Sequence, residues 1–211
     1  MSAVSELLPL DAHGRHRLKV AFVGTHGVGK TTLCFELAAQ LKRLDLGVDI
    51  VKEVARRCPL PINEGTTLDA QRWILHTQIA EEIEAAAEYE AVICDRSVLD
   101  NYAYLVARAG RQPELDRLVR EWVRGYHALF KVPVLSAPTF DGKRAVSVGF
   151  QHDIDQIIDT LIAEFAVPVH RLDPLARDGW TLDAVVQLGL PTQPPQIDLF
   201  SAARVERPAA P

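Results

Sequence analysis

The stretch Gly24-Thr25-His26-Gly27-Val28-Gly29-Lys30-Thr31-Thr32 decides how the chain is read. Its first eight residues have the spacing G-x-x-x-x-G-K-[ST], a loop whose backbone N–H groups converge on phosphate oxygens. The setting raises the match above a bare pattern. The apolar run Leu18-Lys19-Val20-Ala21-Phe22-Val23 precedes it as a strand, and Lys30 to about Leu44 follows as a helix. Gly24, Gly27 and Gly29 permit backbone angles and close approaches that a side chain would block. In such a loop the Lys30 ammonium reaches the β- and γ-phosphates and the Thr31 hydroxyl ligates magnesium. The expected cofactors are therefore ATP and Mg²⁺, held by residues 24–32. A glycine-rich turn that merely opens a helix is the competing reading, and the strand–loop–helix order disfavours it. His26 is expected only to expose its ring.

Working outward, Val48-Asp49-Ile50-Val51 forms a second strand that ends near Glu53, after a turn at Gly47. Residues 55–66 form a loop, because Pro59, Pro61 and Gly65 interrupt any ladder. A long helix runs from Thr67 to about Tyr89, capped by Thr66 or Thr67, with an apolar stripe through Trp73, Ala80, Ile83 and Ala87. Ala91-Val92-Ile93-Cys94 is a fully apolar strand that ends at Asp95-Arg96. Two helices follow at about 98–109 and 113–126, then a strand at 130–135, a polar connection over 136–150, a helix over 153–165, a strand at 167–172 and a short helix at 181–188. Alternating strands and helices predict an α/β fold with a parallel sheet of about five strands flanked by helices; with the phosphate loop after the first strand it resembles the P-loop NTPase arrangement of nucleoside and nucleotide kinases. Ligands then lie at the carboxyl ends of the strands. The domain is expected over 18–188, with a flexible N-terminus over 1–17, a lid near 138–152 and a disordered Pro-rich tail over 189–211.

Composition sets the outer limits. The chain has 211 residues, of which 48% are hydrophobic, enough for a buried core without disulfides or metals. A net charge of −5 and a pI near 5.8 argue against a large nonspecific nucleic-acid surface, though a local basic patch and direct DNA binding stay open. Cys34, Cys58 and Cys94 show no metal spacing, and Cys34 and Cys94 sit in apolar patterns as buried thiols. No apolar stretch is long enough to span a bilayer and no signal peptide is visible, so a cytoplasmic enzyme with no membrane partner is expected.

The strand ends carry the remaining chemistry. Asp95 is placed to hold Mg²⁺ directly or through water, although it also stands where a helix N-cap would. Arg96 beside it has the guanidinium fork that grips a transferring phosphoryl group, against the alternative of a surface ion pair. Glu53 faces the same crevice as a base or as a hydrogen-bond acceptor for the attacking hydroxyl, or is simply solvated. Arg56 and Arg57 follow and are able to hold an anionic acceptor, although each taken singly reads first as an ordinary exposed arginine. Asp141-Gly142-Lys143-Arg144 stands where a small kinase has its lid, with an ordinary turn as the alternative. Trp73, on the long helix, is read as core. There is no zinc cluster and no nucleophile elbow.

Taken together, Gly24–Thr32, Glu53-Val54-Ala55-Arg56, Thr67-Leu68-Asp69-Ala70-Gln71, the run Asp95 to Tyr104 and Asp141–Arg144 resemble a known group. It is the AAA-type P-loop ATPase family that includes the ribosylnicotinamide kinase domain of a bacterial NAD-synthesis regulator. The chain is also similar, more distantly, to deoxynucleoside and thymidylate kinases. The resemblance covers roughly residues 18–175 and implies ATP and Mg²⁺ bound by Lys30, Thr31 and Asp95. It also implies an acceptor hydroxyl near Glu53 and Arg96, and a lid arginine at Arg144. Related lids carry further arginines, whereas Gln151 and His152 stand after Gly149 here.

The tail contains Gln196-Ile197-Asp198-Leu199-Phe200, which resembles the peptide by which bacterial replication and repair proteins dock on the sliding clamp. Leu199 and Phe200 are large apolar groups in a polar segment, suited to a partner pocket or to packing back on the domain. Three functions follow: a kinase acting on a nucleoside- or nucleotide-like small molecule, a clamp-recruited ATPase or DNA kinase, and a nucleotide-binding adaptor without catalysis.

Overall fold

Six consecutive residues with no break, Leu18–Val23, form the central strand β1 of a five-stranded, wholly parallel sheet. The others are β2 (Val48–Val51), β3 (Ala91–Asp95), β4 (Ala128–Lys131) and β5 (His170–Arg171), in the order β2-β3-β1-β4-β5. Leu18 pairs with Ala91 and Phe22 with Asp95, so the end of β3 lies level with the end of β1. The computed structural model describes residues 4–11, 13–62, 65–135 and 148–193. The lid sequence Asp141–Arg144 and the clamp-like peptide Gln196–Phe200 lie outside the described residues.

Alternation along β1 splits the core in two. Val20 and Phe22 point to a layer built from α1 (Lys30–Arg43) and α6 (Trp180–Gln187). Ala21 and Val23 point to the opposite layer, formed by α2 (Leu68–Glu88), α3 (Val98–Ala109), α4 (Pro113–Trp122) and α5 (Val148–Phe165). With helices on both faces, β1 and β3 are buried on both sides, and apart from Lys19 and the terminal Asp95 every residue in them is apolar.

Several boundaries differ from the sequence expectation. β4 starts at Ala128 and ends at Lys131, two residues before Pro133, which has no N–H for a ladder. β5 shrinks to two residues because Pro168 likewise cannot donate. α4 ends at Trp122 and gives way to a 3₁₀ turn over Val123–Gly125. α5 begins at Val148, so residues 148–152 are helical, five residues ahead of the expected helix start. The stretch ahead of β1 is packed where flexibility was expected: Val4 and Leu8 are buried in the α1–α6 layer, and Leu10 bridges His16. At the other end Leu190 is buried and Gln40 donates to the Thr192 carbonyl, so the chain past α6 stays docked through residue 192.

The largest correction concerns α2. Thr67 caps it, accepting from the Ala70 N–H at 3.1 Å. Its buried face consists of Ala70, Gln71, Ile74, Leu75, Gln78, Glu82 and Ala85, whereas Ala80, Ile83 and Ala87 are exposed and Trp73 is half-buried. Three of those buried residues are polar, so hydrophobic periodicity points to the wrong side. Gln71 Nε2 donates to Thr66 Oγ1 at 2.8 Å, whereas Gln78 Oε1 has no hydrogen-bond partner among the described residues. Glu82 accepts from Trp122 Nε1 (2.8 Å), Gln78 Nε2 (3.0 Å), Lys19 Nζ (3.2 Å) and the Tyr126 hydroxyl. Lys19, half-buried, lies over the Trp122 and Tyr126 rings, which completes the cation's surroundings.

Candidate active site

The loop between β1 and α1 is shaped by its glycines at two points. Gly24 has φ +151°, and a Cβ there would stand 2.9 Å from the Val132 carbonyl oxygen, a contact no side chain tolerates. Gly29 has φ +93° and caps α1 in the left-handed region. The Gly24 N–H donates to Asp100 Oδ1 at 2.7 Å, which ties the loop to the first turn of α3. Lys30 curls back over the loop, its Nζ donating to the carbonyls of Gly24 (2.7 Å) and Thr25. Burial, with Arg96 close by, lowers the Lys30 ammonium to about 7, against the opposing pull of Asp100, Asp95 and Glu53.

Thr31 Oγ1 donates to Asp95 Oδ2 at 2.6 Å. Asp95 is not a helix cap. Ser97 caps α3 and forms a reciprocal box with Asp100, whose Oδ2 accepts from the Ser97 N–H at 2.8 Å. Asp95 is thereby left to Thr31. No group of three His, Cys, Asp or Glu side chains able to hold a metal occurs among the described residues. One carboxylate and one hydroxyl beside a phosphate cradle nevertheless suit Mg²⁺, which keeps waters and takes phosphate oxygens for the rest of its octahedron.

Arg96 follows with φ +92°, a left-handed backbone that costs an arginine about 1–3 kcal/mol. Contacts on three sides hold it there. Its Nε and Nη2 each lie 2.8 Å from Glu53 Oε1, its carbonyl accepts from Gln78 Nε2 at 3.2 Å, and its guanidinium carbon lies 5.1 Å from the centre of the Tyr104 ring. Arg96 is buried, and its Nη1 has no hydrogen-bond partner, so one edge of the fork is unused. Burial alone would lower the guanidinium, but Glu53, Tyr104, Asp100 and Asp95 outweigh it and keep the cation charged. Arg56 Nε donates to the second oxygen of Glu53 at 2.8 Å, and Arg57 pairs with Glu81.

Thr31, Glu53, Arg56 and Asp95 border two adjoining cavities. One, of about 250 Å³, is enclosed by Gly27 to Thr32 with Arg96. The other, of about 510 Å³, extends along α1 and β2 past Phe35, Ile50 and Lys52. A third, of about 210 Å³, lies against Gly29, Thr32, Glu36 and Arg177. The expected residues Gly24, Lys30, Thr31, Glu53, Asp95 and Arg96 thus converge at the ends of β1, β2 and β3, and Thr25, Val28 and Thr32 complete the loop.

His26 departs from expectation. It is 4% exposed, its Nδ1 lies 3.0 Å from the Tyr104 hydroxyl and 3.3 Å from Thr25 Oγ1, and Phe150 lies 5.8 Å away ring to ring. α3 and α5 cover that side of the loop. Gln151, fully buried, donates to the His26 carbonyl at 2.9 Å and so packs against the loop. Sequence reasoning missed Asp100, Tyr104, Gln78 and Gln151 as supports of the site. Only the Ser97-x-x-Asp100 spacing carried a local signal.

A protein-family model described as an AAA domain matches residues 19–177, most of the chain. The chain belongs to that family. No curated protein matches it in sequence. Among solved structures this AAA-domain protein is similar to a thymidylate kinase from Ehrlichia chaffeensis, with 17% identity, a TM-score of 0.58, and coverage of 82% of this chain and 98% of that one. It is also similar to a deoxyadenosine kinase from M. mycoides solved with bound dATP, with 15% identity, a TM-score of 0.54, and coverage of 81% and 98%. The AAA-domain protein therefore has the P-loop fold those kinases share. Among its described residues no helix is long and apolar enough to cross a membrane.

Proposed function

We propose that the protein transfers the γ-phosphoryl group of ATP, with Mg²⁺, to a hydroxyl of a nucleoside- or nucleotide-like small molecule. The observation that carries this reading is the placement of Glu53. It stands on the wall shared by the phosphate-loop cavity and the larger cavity beside it, with Arg96 on one carboxylate oxygen and Arg56 on the other. An acceptor in the larger cavity brings its hydroxyl to Glu53 at the mouth of the phosphate cradle. Two guanidiniums fix the Glu53 carboxylate in place, so its part is to orient the hydroxyl and accept its proton as charge develops on the phosphoryl group.

The other roles follow from contact. Lys30, now on the loop carbonyls, would turn to the phosphates of a bound triphosphate, and Thr31 and Asp95 would hold Mg²⁺, which would supply charge neutralisation there. The unused edge of Arg96 meets the transferring group. Arg177, at the third cavity, offers a planar guanidinium for the base. Arg144 would add a cation from outside the described residues. The resemblance to ribosylnicotinamide kinases favours a ribosyl hydroxyl as the acceptor.

Transfer from γ-labelled ATP to pooled nucleosides, nucleoside monophosphates and 5′-hydroxyl oligonucleotides tests the reading. Label is expected in a small-molecule pool. Label in the oligonucleotides alone, or saturable ATP binding without transfer to any pool, would replace it with one of the other two functions. Glu53→Gln is expected to lower turnover more than ATP affinity, and unchanged turnover removes Glu53 from the mechanism.

A further inference from the structure

The two faces of α2 differ in kind. One is buried against the sheet and α3 and holds the Arg96 carbonyl through Gln78. The other exposes His76, Ala80, Ile83, Glu84, Ala87 and Glu88, with Ile83 56% exposed, and among the described residues nothing covers it.

That outer face is ordered. Residues four apart form a ridge along a helix. Arg72, His76, Ala80, Glu84 and Glu88 make one ridge: cationic or basic in the first half, small in the middle, anionic in the second half. The neighbouring ridge, Ile79, Ile83 and Ala87, is apolar. A ridge whose charge changes sign about its midpoint complements its own reversed copy. Two such helices, antiparallel and related by a two-fold axis at Ala80, place Arg72 opposite Glu88 of the second copy and His76 opposite Glu84 of the second copy. The same pairs recur on the other side of the axis, as an isologous contact requires. Ridges of this spacing lie side by side when the axes cross at about 50°. The methyl group of Ala80 at the crossing point lets the axes approach, and the apolar ridges close over the flank. Arg72 is free to turn outward, because its present partners Asp69 and Glu114 are 3.8 and 3.9 Å away and exposed.

We infer that the protein forms a homodimer through this face, with the two α2 helices crossing antiparallel at Ala80. A second copy is the occupant because the sign reversal about one residue matches the chain to itself. A foreign partner would need no such symmetry.

The test uses the full-length chain and sedimentation velocity. The wild type is expected to dimerise with rising concentration, less tightly at high salt. Glu84→Arg with Glu88→Arg makes the ridge wholly basic, and Arg72→Glu with His76→Glu makes it wholly acidic. Each double variant alone should dimerise at least about tenfold more weakly, because like charges then face each other. Mixed one to one, the two variants should recover a dimer that contains both. All four positions are on the surface, and circular dichroism with a thermal midpoint confirms that each variant is folded. A wild type that stays monomeric at about 100 μM, a concentration at which even weak specific association registers, overturns the inference. So does a double variant that dimerises as tightly as the wild type, and so does a mixture that fails to pair. The last two results would mean that any dimer, or any other partner, uses a different surface.

Discussion

Binding of a triphosphate should draw a proton onto Lys30. In the free protein this ammonium is buried beside Arg96 and titrates at about 7. At pH 8 it is therefore neutral in about nine molecules of ten, by the ordinary titration curve. A triphosphate places several negative charges against it and restores a value near that of a solvated lysine, about 10.4. Binding at pH 8 then takes up about 0.9 proton, and at pH 6 about 0.1, on the same curve. The nucleotide's own terminal phosphate titrates near pH 6 and is ionised at pH 8, so it contributes little there. Through this one group, affinity should fall about 50-fold between pH 7 and pH 9. The effect on folding has the opposite sense. The unfolded chain keeps this proton up to about pH 10.4 while the folded, ligand-free protein loses it near 7, so the unfolded state binds more protons in between. The burial cost is fully present below pH 7 and fades as pH rises toward 10. Calorimetric titration with a nonhydrolysable ATP analogue at pH 8, in buffers of different ionisation heat, measures the uptake directly. Lys30→Met should abolish the uptake. Tight binding by the wild type with no uptake at pH 8, or equal uptake by Lys30→Met, would refute the placement of this lysine on the phosphates.

Three further outcomes can be checked independently. Asp95→Asn keeps a partner for the Thr31 hydroxyl but removes the charge, so turnover should fall about 100-fold or more and need far higher Mg²⁺, while metal-free nucleotide binding persists; a magnesium titration of activity decides it. Glu82→Gln leaves Lys19 without its buried counter-charge and should cost about 3 kcal/mol, which lowers the midpoint of a thermal melt by about 6–12 °C for a chain of this size. The proposal that Gln196–Phe200 docks on a sliding clamp is tested with a peptide of residues 192–203 in a binding assay with purified clamp: binding is expected, and Leu199→Ala with Phe200→Ala should abolish it.

Local chemistry alone specified the fold class, the phosphate loop and the position of Asp95. Each depends on residues adjacent in the chain: an apolar strand, glycines at fixed offsets, a cap that follows. The strand bounds drifted wherever a proline sat near an end, as at Pro133 and Pro168, because pairing is a property of the neighbour as well as of the strand. α2 was placed correctly along the chain and wrongly around its axis. Its inner face bears Gln71, Gln78 and Glu82, and a buried polar side chain is acceptable only where distant donors and acceptors meet it, here Trp122, Tyr126 and Lys19.

The amino-acid order by itself determined that a glycine-rich phosphate loop opens a helix at the end of one strand and that Asp95 ends another, because that grammar is written within single strand–loop–helix units. Tertiary structure alone decided what surrounds the cradle. Glu53, His26 and the pair Arg96 and Tyr104 come from three separate segments, and His26 is enclosed only because α3 and α5 close over it. Contacts across such separations depend on how the layers pack, and packing is set by the whole chain at once.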